Sequence, residues 1–210
     1  VYKAVMDPSA SDALRLFTED QVSSSVSAVD APNFLKDHGV FYQANPEIGR
    51  LVAQLDNEGA SWEPSGLRRF LPVLQNDPRV RKILDPFDTQ CRPVCWILGS
   101  NYPKHYFAST ILEDEDEDHK IAVYMCSAGS QLQIFDRSQN LPSAGVRGAN
   151  GMYEVPYVFL TAIKKLDEIE VRMKEGGVMI VHPRFALGSS NGRAVGYGLP
   201  EKGYKFKRAA

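Results

Sequence analysis

Eight short runs of β-branched and aromatic residues follow one another between residues 92 and 200, and they limit the possible folds most strongly. Glycine, proline, asparagine and serine separate the runs, which is typical of antiparallel strands joined by short turns. The pattern therefore predicts a sandwich or a barrel. In chain order the runs are RPVCWILGS, KHYFASTIL, HKIAVYMCS, SQLQIFDRS, YVFLTAI, IEVRMKEG, GVMIVHP and RAVGYGL.

The segment before these runs has a helical period. NFLKDHG ends at Gly39, where we expect a left-handed helix cap. Helical spacing also relates four apolar residues of the next segment, Ile48, Leu51, Val52 and Leu55. Helices followed by strands predict an α+β fold in which the helices buttress one face of a jelly roll.

A chain of 210 residues suits one domain with its own core. We expect residues 1–29, which contain the serine-rich VSSSVSAV, to be an N-terminal extension or linker. Residues 30–210 then form a single jelly-roll domain, with its helices mainly in 30–88 and its strands mainly in 92–200.

Charge and composition bear on the partners and the location of the chain. A net charge of -2 and a pI near 6.1 give no general attraction to nucleic acid or to an anionic membrane. The longest apolar runs are far shorter than the roughly 20 residues that cross a bilayer. Three cysteines and the absence of a secretory pattern at the start predict an intracellular protein, cytoplasmic or nuclear, with reduced thiols.

Two stretches resemble a known family. NFLKDHGV is similar to the opening helix and strand, and EGGVMIVHPRFALGSSNGR to the closing hairpin, of the iron(II) and 2-oxoglutarate oxygenases of the phytanoyl-CoA-hydroxylase-like branch. This resemblance implies a double-stranded β-helix. It also implies an iron site built from a His-x-Asp or His-x-Glu pair near the end of an early strand and a second histidine before the Gly-Ser corner.

The residues at those positions do not suit the metal. The closing hairpin has Leu187 at the position of the second histidine, and the early strand has His105 followed by Phe107 at the carboxylate position. Two of three ligand positions thus carry hydrocarbon, so we expect neither iron nor 2-oxoglutarate as a cofactor. Arg193, six residues after Leu187, matches the keto-acid-binding arginine of the family, although it also suits a solvent-facing arginine on a hairpin.

A different ligand set is the alternative. His105 and His182, with an acid such as Asp114 or Asp136, would form an atypical site that binds iron and 2-oxoglutarate. Strand alternation along VMIVH equally suits a core histidine at position 182, on the face of Val178 and Ile180.

Six consecutive acidic residues stand in EDEDEDH, residues 113 to 119. Such a block repels itself and usually forms a solvated loop. It lacks the glycine and the staggered ligands of a calcium loop. Its functional interpretation is contact with a basic segment of another protein, through Glu113, Asp114, Asp116 and Asp118.

Three hypotheses follow. The first is a non-catalytic binding or scaffold domain of oxygenase ancestry that acts through protein–protein contacts. The second is an active oxygenase with the atypical ligand set. The third is a cupin-like binder of small molecules, with a pocket lined by Trp96, Tyr106, Tyr124 and Phe135, although aromatic residues at alternating strand positions are more often core.

Overall fold

The computed structural model describes residues 16–60, 63–100, 104–111, 115–141, 144–148 and 150–205. The helices in these ranges are α1 (Ala31–His38), α2 (Pro46–Asn57), α3 (Leu67–Asn76), α4 (Pro78–Leu84) and α5 (Glu115–Asp118), with short turns at Pro64–Gly66, Ser138–Asn140 and Phe159–Ile163. The strands are β1 (Val40–Ala44), β2 (Val94–Gly99), β3 (His105–Ala108), β4 (Lys120–Cys126), β5 (Ser130–Phe135), β6 (Val146–Arg147), β7 (Tyr153–Pro156), β8 (Glu168–Met173), β9 (Gly177–Val181), β10 (Leu187–Asn191) and β11 (Arg193–Pro200).

The strands form two antiparallel sheets. The first has the order β1-β9-β4-β11-β2 and the second the order β6-β7-β3-β10-β5-β8. Along the chain the strands pass repeatedly from one sheet to the other, so neighbours in a sheet are seldom neighbours in sequence. This interleaving is the topology of a double-stranded β-helix, and the predicted α+β jelly roll is confirmed.

Helices cover the outer face of the first sheet, as predicted. In β11, Tyr197 points to this side and packs against Phe70 of α3, with ring centroids 6.3 Å apart. The apolar stripe of α2, which includes Val52 and Leu55, is buried in the same core. Because side chains alternate across a strand, Gly196 and Gly198 face the interior between the sheets.

Local signals fix the ends of the helices. α1 ends at Gly39, which has the expected left-handed conformation with φ 75°. The Asn45 side chain accepts a hydrogen bond from the backbone of Glu47 and so begins α2. Of the helices in the described ranges, none has both the length and the apolar character that a bilayer span requires.

One predicted strand is wrong. The run YVFLTAI, residues 157–163, forms a π-helical turn at Phe159–Ile163, and the strand in this region is the preceding Tyr153–Pro156. Pro156 has no backbone N–H for a sheet, which favours an end of pairing there. Leu160 of the turn is buried in a small cluster outside the second sheet.

Residues 16–29, which were predicted as part of an extension or linker, pack against the domain. Val22 is fully buried, and its backbone N–H donates to the carbonyl of Tyr42. The Arg79 guanidinium donates to the carbonyl oxygens of Val22 and Ser23. This part of the N-terminal region therefore contributes to the core.

Two glycines allow α2 to lie directly on the turn between β8 and β9. A Cβ at Gly49 would lie 2.0 Å from the carbonyl oxygen of Glu175, and one at Gly176 would lie 2.4 Å from the Gly49 Cα. Gly176 also has φ 96°, which disfavours other residues. The helix layer thus contacts the sheet through backbone atoms.

We expect Gly49→Ala to lower the free energy of unfolding by about 1–3 kcal/mol, because the added methyl group forces α2 away from this turn. Equilibrium urea unfolding measures the change. Gly99→Ala is the matched control, since a Cβ there meets no atom within 4 Å. Equal stability of the two variants would contradict the backbone contact.

Candidate functional site

A cavity of about 470 Å³ opens at one end of the barrel. Its floor comes from the inner face of the first sheet, including Trp96 and Gly198. Ser109, in the segment after β3, and Pro183, between β9 and β10, close another side. A size of this order suits a small-molecule site.

Leu187 and Phe107 are paired residues on neighbouring strands of the second sheet. The register places Leu187 of β10 opposite Phe107 of β3, with Ile134 of β5 on its other side. Leu187 is 1% exposed and Phe107 7%, and both belong to the main hydrophobic core. Paired side chains in an antiparallel sheet lie on the same face, so the two hydrocarbon groups are neighbours.

Trp96 lies flat on the inner face of β11. A Cβ at Gly196 would lie 2.3 Å from the indole Nε1, and one at Gly198 would lie 3.0 Å from the Trp96 Cη2. The two glycines therefore make room for the ring. The indole Nε1 donates to the Tyr124 hydroxyl at 2.8 Å, which fixes the orientation of the ring.

Tyr124 is buried behind the indole. The two rings meet edge to face, with centroids 6.1 Å apart. Burial raises the pKa of the Tyr124 hydroxyl to about 12, although the hydrogen bond from the Trp96 indole lowers it. The phenol is thus a neutral structural group that supports Trp96.

The predicted aromatic pocket is divided in the structure. Trp96 lines the cavity and Tyr124 supports it from behind. Tyr106 and Phe135 belong to the separate cluster outside the second sheet, where their ring centroids are 4.8 Å apart. The Tyr106 hydroxyl donates to Glu168.

His182 directly follows β9 and has both ring nitrogens occupied. Its Nδ1 accepts from the backbone N–H of Arg184 at 3.1 Å, so Nε2 carries the proton of the neutral ring and donates to Asp118 at 3.2 Å. Burial lowers the pKa of the His182 imidazole, and the charge of Arg184 adds to this effect. The hydrogen bond with Asp118 acts in the opposite direction.

The other residues of the predicted atypical ligand set that the structure describes pair with side chains other than His182. His105 Nδ1 is 2.7 Å from Glu154, and Asp136 is 2.8 Å from the Nδ1 of His38. Asp114 lies outside the described residues. Within the described ranges, no three His, Cys, Asp or Glu side chains form a group able to hold a metal ion.

Arg193 lies on the helix-covered face of β11. It alternates with Ala194 and shares its face with Val195 and Tyr197. Its guanidinium forms an ion pair with Asp56 of α2. The side chain thus joins the sheet to the helices and does not point into the cavity.

The described part of the acidic run forms a short helix and not the predicted solvated loop. Glu113 and Asp114 lie outside the described residues, and α5 begins at Glu115. Asp116 is only 6% exposed and accepts from the Tyr204 hydroxyl at 2.9 Å. Asp118 also accepts from Arg184 at 3.3 Å.

Three cationic residues at the cavity were not among the predicted site residues. Arg92 precedes β2, Arg147 lies in β6, and Lys120 begins β4. Lys120 is paired with Glu117 at 2.8 Å. The sequence has no local pattern that joins these three residues, because the topology alone brings them together.

We expect the free energy of unfolding to decrease as the pH is lowered, because the unfolded chain takes up a proton at His182 more readily than the folded chain does. The pKa of the folded state is below the ordinary 6.5, so this loss begins near pH 6.5 and continues down to the folded pKa. His182→Asn keeps an acceptor for the Arg184 N–H and should reduce the loss. Urea unfolding at several pH values between 7.5 and 5 measures it.

His105→Asn serves as the control for that experiment, since His105 is about half exposed. The same pH dependence in wild type and His182→Asn would contradict the constrained neutral histidine.

Comparisons with known proteins support the fold. No family model matches the chain, and no curated protein matches its sequence. Solved structures do match. One is the non-heme alpha-ketoglutarate-dependent carbocyclase SnoK from nogalamycin biosynthesis, with a TM-score of 0.51 and 12% identity over 82% of this chain and 83% of that chain.

Two more structures agree with this match. The apo form of the non-heme monooxygenase ThoJ has a TM-score of 0.52 and 14% identity, over 82% of this chain and 77% of that chain. HygX from Streptomyces hygroscopicus, with nickel and 2-oxoglutarate bound, has a TM-score of 0.50 and 8% identity, over 84% and 87%. The resemblance is therefore confirmed at the level of the fold: this chain has the architecture of the non-heme, 2-oxoglutarate-dependent oxygenases.

Proposed function

We propose that this chain is a non-catalytic binding domain built on an oxygenase fold. The observation that carries the proposal is the pairing of Leu187 with Phe107 at the inner face of the second sheet. Directly opposed residues of an antiparallel pair have Cβ atoms roughly 4.5–5.5 Å apart. Two histidines there would be neighbours suited to a shared metal ion, whereas a leucine and a phenylalanine supply no ligand atom.

The strand register also indicates which residues stand at the positions of the family's early His-x-Asp or His-x-Glu pair. If His105 is its first member, the acid position is Phe107; if the residue facing Leu187 is its first member, the pair is Phe107 and Ser109. Both alignments leave at least two of three positions without an imidazole or a carboxylate. The residues present do not fit iron.

The keto-acid position gives separate support. Arg193 is engaged with Asp56 on the helix side of the first sheet. An anion inside the barrel would not meet this guanidinium. We therefore assign Arg193 a structural role.

The alternative remains an active oxygenase with His105, His182 and Asp136 as ligands. Each of these side chains has a different partner, namely Glu154, Asp118 and His38. Metal binding by this set would need all three contacts to break. Nothing in the geometry favours it over the binding domain.

In our proposal, the binding partner is another protein that carries a basic segment. Asp116 and Asp118 already bond within the chain. Contact with a basic segment would therefore depend mainly on the preceding acids, Glu113 and Asp114.

We expect the purified protein, stripped of metal and titrated with iron(II) under anaerobic conditions, to show no stoichiometric binding at micromolar concentrations. We also expect no iron-dependent decarboxylation of 2-oxoglutarate, because the ligand positions are apolar. Elemental analysis of the untagged protein as isolated provides an independent measurement. Stoichiometric iron(II) binding with turnover of 2-oxoglutarate would refute the proposal.

A gain of binding tests the geometry itself. The triple variant Phe107→His, Ser109→Asp, Leu187→His should bind cobalt(II) at least about tenfold more tightly than wild type, as followed by the visible spectrum of the metal. The matched control replaces the same three residues by asparagine. If wild type itself binds metal, His105→Ala and His182→Ala reveal whether the atypical set holds it.

A further inference from the structure

We propose that the cavity at the barrel mouth binds a small organic anion with a flat ring, stacked on Trp96 and held at its charged end by Arg92 and Arg147. This inference goes beyond the proposed contact with a basic segment, because it concerns a different site and a small ligand. The proposed binding requires no metal ion and involves neither Leu187 nor Phe107.

The size and lining of the cavity suit such a molecule. A volume of about 470 Å³ accommodates one or two rings with a short polar substituent. Trp96, Ala122 and Pro183 supply apolar surface. Small-molecule sites generally combine a mainly apolar lining with a few polar groups that set the orientation.

Trp96 is a preformed platform for a ring. One face of the indole lies against Gly196 and Gly198, while Trp96 itself lines the cavity. The hydrogen bond from Nε1 to Tyr124 prevents rotation of the ring. Because the indole is already ordered, stacking a ligand on it costs the protein little additional side-chain entropy.

The charge at the mouth selects an anion. Among the described residues, the ionisable side chains that line the cavity are three cations and one carboxylate, apart from Cys91 and Tyr153. The carboxylate, Glu117, pairs with Lys120. Within the described residues, Arg92 and Arg147 line the cavity and take part in no ion pair, so no carboxylate among those residues neutralises their charge.

The two arginines approach from different sheets. Arg92 leads into β2 at the edge of the first sheet, and Arg147 lies in β6 at the edge of the second. Guanidinium groups bind carboxylate and phosphate oxygens through two parallel hydrogen bonds, which fixes the anion as well as attracting it. The ring then extends inward over the indole.

The test uses the full chain carrying Trp62→Phe, which leaves Trp96 as the single tryptophan. The probes are benzoate, 4-hydroxybenzoate and phenyl phosphate, compared with neutral benzamide and with two ringless anions, acetate and 2-oxoglutarate. Calorimetry on the Trp62→Phe protein and on wild type gives affinity and stoichiometry, and Trp96 fluorescence locates the ligand. All titrations contain a chelator.

We expect at least one ring-bearing anion to bind with 1:1 stoichiometry and to perturb Trp96. Benzamide, acetate and 2-oxoglutarate should bind at least about tenfold more weakly, since each lacks either the charge or the ring. Arg92→Gln and Arg147→Gln should each weaken binding at least about fivefold. Trp96→Leu should remove most of the affinity.

Arg172→Gln is the matched control, because Arg172 lies in β8, is exposed and pairs with Glu170. It should leave the affinity unchanged. Arg92 and Arg147 are exposed as well, so their variants remain informative if Trp96→Leu fails to fold.

Three results would overturn the inference: no saturable binding by any ring-bearing anion, equal binding of benzamide or of the ringless anions, or unchanged affinity in both arginine variants. Each leaves the non-catalytic proposal intact as long as the protein binds no iron. Binding that appears only when the chelator is replaced by iron(II) would instead contradict both proposals.

Discussion

The pairing of Leu187 with Phe107 holds the inner face of the second sheet together. It joins β10 to β3 and places both side chains in the main core. Burial of a leucine side chain contributes about 1.5–3 kcal/mol, while a buried unpaired imidazole or carboxylate would cost free energy. Apolar residues at these two positions therefore stabilise the fold. Histidine or acidic residues there would be tolerated only with a bound metal ion.

The facing wall of the barrel, formed by the first sheet, is apolar at Trp96. β11 carries glycines at its inner positions, and the Trp96 indole occupies the space that other side chains would fill. Its Nε1 is satisfied by Tyr124, so the large ring is held in the wall without an unpaired donor. The cavity consequently has one flat aromatic side and a charged rim.

Much of the architecture was predictable from local sequence. The alternating runs predicted most of the strands, and Gly39 predicted the end of α1 because few other residues adopt its conformation. The sequence also places Leu187 directly before the Gly-Ser corner, where β10 begins. The turn at Phe159–Ile163 was mistaken for a strand because its apolar residues cover the outside of the second sheet, and a short apolar run has no distinctive period.

The site was less predictable, since it depends on long-range placement. Alternation shows that Arg193 and Tyr197 share a face, but only the packed helices determine that this face meets Asp56. The pairing of Phe107 with Leu187 is set by strand register between residues 80 positions apart in the sequence. Arg92 and Arg147 approach one cavity through the order of the sheets alone.

The charged groups at the mouth give this cavity an electrical direction. Glu117 lies at one part of the mouth and is paired with Lys120, while Arg92 and Arg147 lie on other parts of it without a carboxylate partner among the described residues. A diffusing anion is attracted mainly by the two arginines, so it arrives already turned with its charged end toward the guanidinium groups. Salt shortens the reach of this field to about 8 Å at physiological ionic strength, which confines the steering to the last step of approach.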